Sequence, residues 1–317
     1  MTVSQTRSVP ATAVIRPERP PRSLAVRLSA AVPYLFISPA YLLFILFILV
    51  PLLATIAISF TDWPLLGIPE PNGLSNYVEL LHDPVALSAL RNTFLFTVLT
   101  AAIHLIVALA LALAVQASRS RIVQYFVRTA FVAPFLMSGG VVALMWGGLL
   151  NHDFGPIAYY LEELGLNPPD FLNSKTWVIP SLVLVDLWQT IGITFIIMLV
   201  GLQSIPSVLY EAARVDGASA WSRFVHVTLP MLSPTALFAV VISFIGAFQI
   251  FTWMEIMTNG GPGNASLSMV QYVYRSAFED FKLGYGSTIG VMTLVVLLLF
   301  TLVQFGVSRW WVHYERM

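Results

Sequence analysis

Six apolar runs leave this chain few ways to fold. They lie at about residues 34–60, 92–115, 126–149, 177–202, 231–251 and 287–307. Wound as a helix, each is long enough to cross the roughly 30 Å hydrocarbon layer of a bilayer. Inside that layer no water can satisfy a free backbone amide, so a spanning segment has to close its own hydrogen bonds. The runs therefore predict an all-α, polytopic membrane protein with six transmembrane helices. The charge content agrees: 10% of residues are Asp, Glu, Lys or Arg, where a soluble domain carries about 25%. Pro39 and Pro51 inside the first run predict a kinked span, because proline frees a carbonyl one turn back.

Residues 1–30 read as a flexible basic cytoplasmic tail, with Arg7, Arg16, Arg19, Arg22 and Arg27. The run behind it is too long for the apolar core of a signal peptide and lacks a small-residue cleavage site, so it counts as a span. Residues 31–317 then form one transmembrane domain. Six spans put both termini on one side. Placing the N-terminus inside gives the cytoplasmic segments twelve Lys or Arg residues and the outer segments four, namely Arg91, Lys175, Arg275 and Lys282. That asymmetry sets the orientation with both termini cytoplasmic, and it puts the loop 203–230 in the cytoplasm as well.

The outer segments carry structure of their own. A short helix is predicted from about Val78 and another over Gly155–Leu164. Asn259-Gly260-Gly261-Pro262-Gly263 is a dense cluster of turn formers, and an aromatic segment with Tyr272, Tyr274, Phe278 and Phe281 follows. Trp63, Trp146, Trp177, Trp310 and Trp311 lie near run ends, where indoles sit at the headgroup level.

Several chemistries are excluded. No cysteine is present, so disulfides and thiolate sites are ruled out. The only lysines are Lys175 and Lys282, and neither stands in a Gly-x-x-x-x-Gly-Lys-Ser/Thr loop, so the chain has no phosphate cradle of its own. No His-Glu-x-x-His or Gly-x-Ser-x-Gly occurs. The five histidines are scattered, and His104 within the second run reads as a packed interhelical donor. No metal, catalytic residue or bound cofactor is expected.

Two polar features interrupt the apolar pattern. The first is intramembrane. Asp186, Gln189 and Thr190 in the fourth run stand at i, i+3 and i+4 and share a helical face, with Trp188 at its edge. A carboxylate at such depth marks either a site or a paired structural charge. In the fifth run Ser243, Ala247 and Ile250 share a helical row, with Gln249 nearby. Carboxylate, amide and aromatic groups together can serve the hydroxyls and C–H face of a sugar. Asp186, Trp188, Gln189, Thr190, Ser243 and Gln249 are therefore candidate residues of a solute pathway, although Ser243 could equally bond its own helix. The second feature lies in the loop 203–230, where helix formers from Ser207 to Ala220 predict a short amphipathic helix. Leu209, Ala212 and Ala213 give it a weak apolar face, with Arg214, Asp216 and Ser219 outward. A bend is expected at Gly217, then a second segment ending at Pro230.

That loop also resembles a known pattern. Glu211-Ala212-Ala213, three residues, Gly217, nine residues, Val227, one residue, then Leu229-Pro230 is similar to the EAA loop of ABC-importer permeases, with Val where isoleucine is usual. From the first span onward the chain resembles the carbohydrate-uptake, maltose-permease-like group, including Leu187-Trp188 and Thr258-Asn259-Gly260-Gly261-Pro262. The resemblance implies that the segment around Glu211, Ala212, Ala213, Asp216 and Gly217 is a coupling helix docking on a cytoplasmic ATPase subunit. It implies a second homologous permease subunit, two ATP-binding cassette subunits that use ATP and Mg, and an extracytoplasmic solute-binding protein, all at a bacterial inner membrane. It also implies that Asp186, Trp188, Gln189, Thr190, Ser243, Ala247, Gln249 and Ile250 lie at or beside the sugar site. Asp186, Ala247 and Ile250 replace family asparagines, which argues against maltose itself as the solute. A glycerol phosphate or polyol permease, an ion-coupled carrier and a non-transporting receptor are the alternatives. Nucleic acid is not an expected partner.

Overall fold

The computed structural model describes residues 24–64 and 66–313, with side chains from Tyr34 onward. Most of the expected tail and the last four residues lie outside them. The chain divides into two compact units, residues 1–53 and 54–317. The first carries α1 (Leu24–Phe44), which takes in the last residues of the expected tail, a π-turn over Ile45–Leu49, and the start of α2 (Val50–Ile58). The predicted irregularity thus takes the form of a widened turn directly ahead of Pro51. The Val50 N–H reaches back five residues to the Ile45 carbonyl.

The second unit continues through a two-residue ribbon, β1 (Thr61–Asp62) paired antiparallel with β2 (Glu70–Pro71). After α3 (Ser75–His82) comes the long α4 (Pro84–Ala117), then α5 (Arg121–Val132), α6 (Gly139–Leu149), α7 (Pro156–Glu163) and α8 (Val178–Ser204). The chain then turns through α9 (Ser207–Val215) and α10 (Ala220–Arg223) into α11 (Leu229–Phe248), α12 (Thr252–Thr258), α13 (Met269–Tyr274) and α14 (Leu283–Ser308). Among the described residues, five helical runs are long and apolar enough to cross a membrane: Tyr34–Ile58, Pro84–Ala117, Val178–Ser204, Ala220–Phe248 and Leu283–Ser308.

The third run departs from the expectation of one straight span over 126–149. It is a helix pair, Arg121–Leu136 and Gly139–Leu149, bent by 101°. The cause is local. Pro134 sits in a 3-10 turn over Ala133–Leu136, Met137 and Ser138 are extended, and the pair Gly139-Gly140 starts the next helix. A missing amide and a flexible pair together remove the helix's reason to continue.

The core of this unit is α4 packed along α8, with α11 beside them. The buried residues of α4 recur every three or four positions: Ala89, Thr93, Thr97, Thr100, His104, Ala108, Ala112 and Val115. Small side chains on one stripe let helix backbones approach, which is how helices associate where lipid removes the hydrophobic drive. Thr93 and Thr97 donate to the carbonyls four residues back, at 2.8 and 2.7 Å. Gly192 on α8 marks one such close approach: a Cβ there would stand 2.3 Å from the Phe131 carbonyl oxygen of α5.

Between α11 and α13 the turn-forming cluster becomes a fixed structure. Asn259 and Gly260 take left-handed conformations, the Gly261–Pro262 bond is cis, and Gly263 and Asn264 are again left-handed. Arg275 donates to the Asn259 carbonyl and side-chain oxygens at 2.6 and 2.7 Å. Asn92 of α4 donates to the carbonyl of Asn264 at 2.7 Å. The Ser268 hydroxyl donates to the Ile250 carbonyl at 2.8 Å, which ties the segment after α11 in place.

Candidate functional site

A cavity of about 350 Å³ opens among α4, α8, α11 and the segment 249–253. Its polar heart is Asp186, 7% exposed on α8. One carboxylate oxygen accepts from the Trp253 indole N–H at 3.2 Å. The other lies 3.2 Å from His104 Nε2 and accepts from the Thr190 hydroxyl at 3.3 Å. The buried carboxyl group is thus met by three polar side chains on three elements, which is the condition for keeping such a group at this depth. Thr190 also donates to the Asp186 carbonyl at 3.0 Å.

Opposite, Ser243 on α11 lies 3.2 Å from the Thr194 hydroxyl of α8. Ala247, Gln249, Ile250, Phe251 and Thr252 complete the wall. Asp186, Thr190, Ser243 and Gln249 therefore line one cavity. Gln189 and Trp188 point elsewhere. Gln189 is 5% exposed and its amide donates 2.9 Å to the Met137 carbonyl, at the bend between α5 and α6. Trp188 stacks edge-on with Trp146 of α6 at 5.8 Å between ring centres. These two support the bent helix pair and do not appear among the residues lining the cavity.

Thr100 and Trp253 escaped the sequence reading, and His104, expected as a packed interhelical donor, meets Asp186 across the helices and lines the cavity with them. Thr100 and His104 come from α4, one turn apart, and Trp253 comes from the short helix after α11. A buried histidine in an apolar run was a signal. Its use depended on knowing that α4 faces α8.

The second candidate region is the segment after α8. Helix α9 ends at Val215, earlier than expected, and Gly217 has φ +74°. Ser219 then caps α10, its hydroxyl accepting from the Ser222 N–H at 3.1 Å. Leu209 and Tyr210 pack inward, and the Tyr210 hydroxyl meets that of Thr228 at 3.1 Å. Glu211, Ala212, Arg214, Asp216 and Ser219 are exposed, while Ala213 is half-buried. Among the described residues neither Glu211 nor Asp216 has a side-chain hydrogen bond or ion pair. Val208, Val215 and Trp221 are also strongly exposed. A short helix that presents apolar side chains and an unpaired carboxylate, while anchored from behind, has the form of a docking surface.

The second segment does not stop at Pro230. It runs through a π-turn at Phe224–Thr228 directly into α11. Pro230 follows this widened turn directly, which accommodates its missing amide as the turn ahead of Pro51 does. Leu229 and Pro230 line a separate apolar groove of about 370 Å³ with Leu105, Met198 and Trp311.

Helices that cross an apolar layer, a polar cavity between them and an exposed pair of short helices define the class: a polytopic membrane transport component. Residues 104–312 match the family model described as binding-protein-dependent transport system inner membrane component, and the chain belongs to that family. It is thus a transport subunit and a multi-pass inner-membrane protein. It is 36% identical to the ABC transporter permease protein YurN of Bacillus subtilis over 86% of this chain and 94% of that one. It is 33% identical to the arabinooligosaccharides transport system permease protein AraP of the same organism, over 88% of each. Its fold matches a chain of the bacterial alginate ABC transporter crystallised with an alginate pentasaccharide-bound periplasmic protein. The TM-score is 0.78 at 24% identity, covering 91% of this chain and 98% of that one.

Proposed function

We propose that this chain forms half of the translocation pathway of an ATP-driven importer for a sugar or sugar-like solute, a di- or oligosaccharide before a glycerol phosphate or polyol. The observation that carries the reading is the exposed α9–Gly217–α10 unit with its unpaired Glu211, in a chain without a phosphate-binding loop. Such a unit can receive mechanical work and cannot generate it from ATP. The cavity around Asp186, with hydroxyl, amide and aromatic groups and no Lys or Arg, supports a polyhydroxyl solute. AraP and the alginate transporter, by their names, handle oligosaccharides.

The working assembly would add a second permease subunit, two ATPase subunits holding ATP and Mg, and a solute-binding protein outside, with both termini of this chain cytoplasmic. Closure of the ATPase pair pushes on α9 and α10. The push passes along the unbroken run Ala220–Phe248 to the cavity wall at Ser243 and Ala247. Nucleotide thereby biases a two-state gate. The test is reconstitution of the complete importer in proteoliposomes. Uptake should require ATP inside and survive a protonophore. Uptake that persists without ATP and collapses with the protonophore would establish the ion-coupled alternative.

A further inference from the structure

We propose that Thr100 and His104 of α4, with Trp253, form a solute-contacting wall that takes an uncharged polyhydroxyl solute, and that Asp186 is the positioning residue holding this wall. The inference rests on the transport reading above and specifies how its cavity discriminates.

Thr100 is 1% exposed, lines the cavity, and its hydroxyl has no hydrogen-bond partner among the described residues. Its neighbours on the same stripe behave differently, since Thr93 and Thr97 both donate to their own helix. A buried hydroxyl without a partner is unfavourable, and it is kept where another molecule's oxygen completes it. His104 follows one turn later on the same face.

Asp186 has little capacity left for a solute. One oxygen is taken by Trp253 and the other by His104 and Thr190. What the carboxylate does is fix the imidazole and the indole, from different elements, on one side of the cavity. The lining residues include this single carboxylate and no lysine or arginine. A phosphate ester or a carboxylated sugar would find no lysine or arginine among the lining residues to pair with in a poorly solvated space. A neutral glycoside would meet the Thr100 hydroxyl, the His104 and Trp253 rings, and the ring of Phe251.

The experiment uses the complete importer with its binding protein in proteoliposomes. The probes are maltose, trehalose and arabinobiose, each against sn-glycerol 3-phosphate. ATP-dependent uptake of at least one disaccharide and exclusion of the phosphate ester are expected. For the disaccharide taken up fastest, Thr100→Val should raise KM about tenfold, a larger effect than on kcat. Thr100→Ser should restore KM and serves as the folded control. Asp186→Asn should shift the tryptophan emission of the solute-free protein, because the group that the Trp253 indole N–H meets is changed. Preferred uptake of the phosphate ester, a wild-type KM in Thr100→Val, or unchanged emission in Asp186→Asn would each overturn the inference while leaving the transport reading standing. Absence of uptake for all four probes would overturn the inference alone, and uptake that persists without ATP would overturn both.

Discussion

The Tyr285 hydroxyl donates to the Asp83 carboxylate over 2.6 Å, across 202 residues of sequence. Tyr272 donates to the same oxygen, and the other carboxylate oxygen caps α4 by accepting from the Val85 N–H at 2.8 Å. One side chain thus ties the start of α4 to α13 and α14. Burial alone would raise the Asp83 pKa. The hydrogen bonds from Tyr272, Tyr285 and the backbone of Val85 and Ala86 outweigh it and hold the carboxyl below the ordinary aspartate value. A lowered folded pKa means stability that is complete above the unfolded value and is lost as pH falls through the folded one. Thermal unfolding in detergent should therefore show wild type losing stability below about pH 4 and Asp83→Asn losing less over the same range. At neutral pH, Asp83→Ala should cost about 2–4 kcal/mol, from the cap and two orphaned hydroxyls.

The same cluster marks the alkaline side. Burial, and then the bond to Asp83, push the Tyr272 phenol up to about 12. A raised folded value means that this contribution is intact below the unfolded tyrosine pKa and is lost as pH rises through about 12. Ultraviolet titration of tyrosinate should show a late-ionising tyrosine that is absent from Tyr272→Phe. Its presence in the variant would assign the late group to another residue.

Gly192, in the middle of α8, should tolerate an added methyl poorly. An added methyl would press on the Phe131 carbonyl oxygen at 2.3 Å and on the Val132 Cα at 2.8 Å, both backbone atoms. Gly192→Ala is expected to destabilise the protein by about 1–3 kcal/mol by separating α5 from α8. Gly306→Ala in α14, where nothing lies within 4 Å, should be neutral or slightly stabilising. Urea or thermal midpoints of the two variants give the comparison.

At Gly217 the strain is conformational. No atom lies within 4 Å of an added Cβ, but φ is +74°. Gly217→Ala should cost about 1 kcal/mol through its left-handed backbone. Gly217→Trp should also abolish ATP-driven uptake, because the bulk stands on the proposed docking surface. Glu211→Ala should do the same without altering the melting temperature, since that carboxylate has no partner within the described residues. Wild-type uptake by Gly217→Trp would remove the segment from the coupling path.

Trp253→Phe tests the bond from the indole N–H to Asp186. It removes part of the buried indole volume as well as the donor to one Asp186 oxygen, at a combined cost of about 2–4 kcal/mol. A smaller loss in the Asp186→Ala background, where no acceptor remains, would place the interaction where the geometry does.

The sequence by itself determined the class. The apolar runs demanded spanning helices because lipid cannot solvate a backbone. The spacing from Glu211 to Leu229-Pro230 carried the resemblance to the permease family to which the chain belongs. Periodicity also placed Asp186 and Thr190 on one face. It grouped Gln189 with them because helical spacing shows which side chains are neighbours and not what each one meets. The direction of Gln189 toward Met137, the turn of the third run at Pro134, and the entry of Thr100, His104 and Trp253 into the cavity were decided by tertiary packing. Those residues lie on separate helices, and only the approach of α4 to α8, through small side chains, brings a histidine within 3.2 Å of a carboxylate 82 positions away.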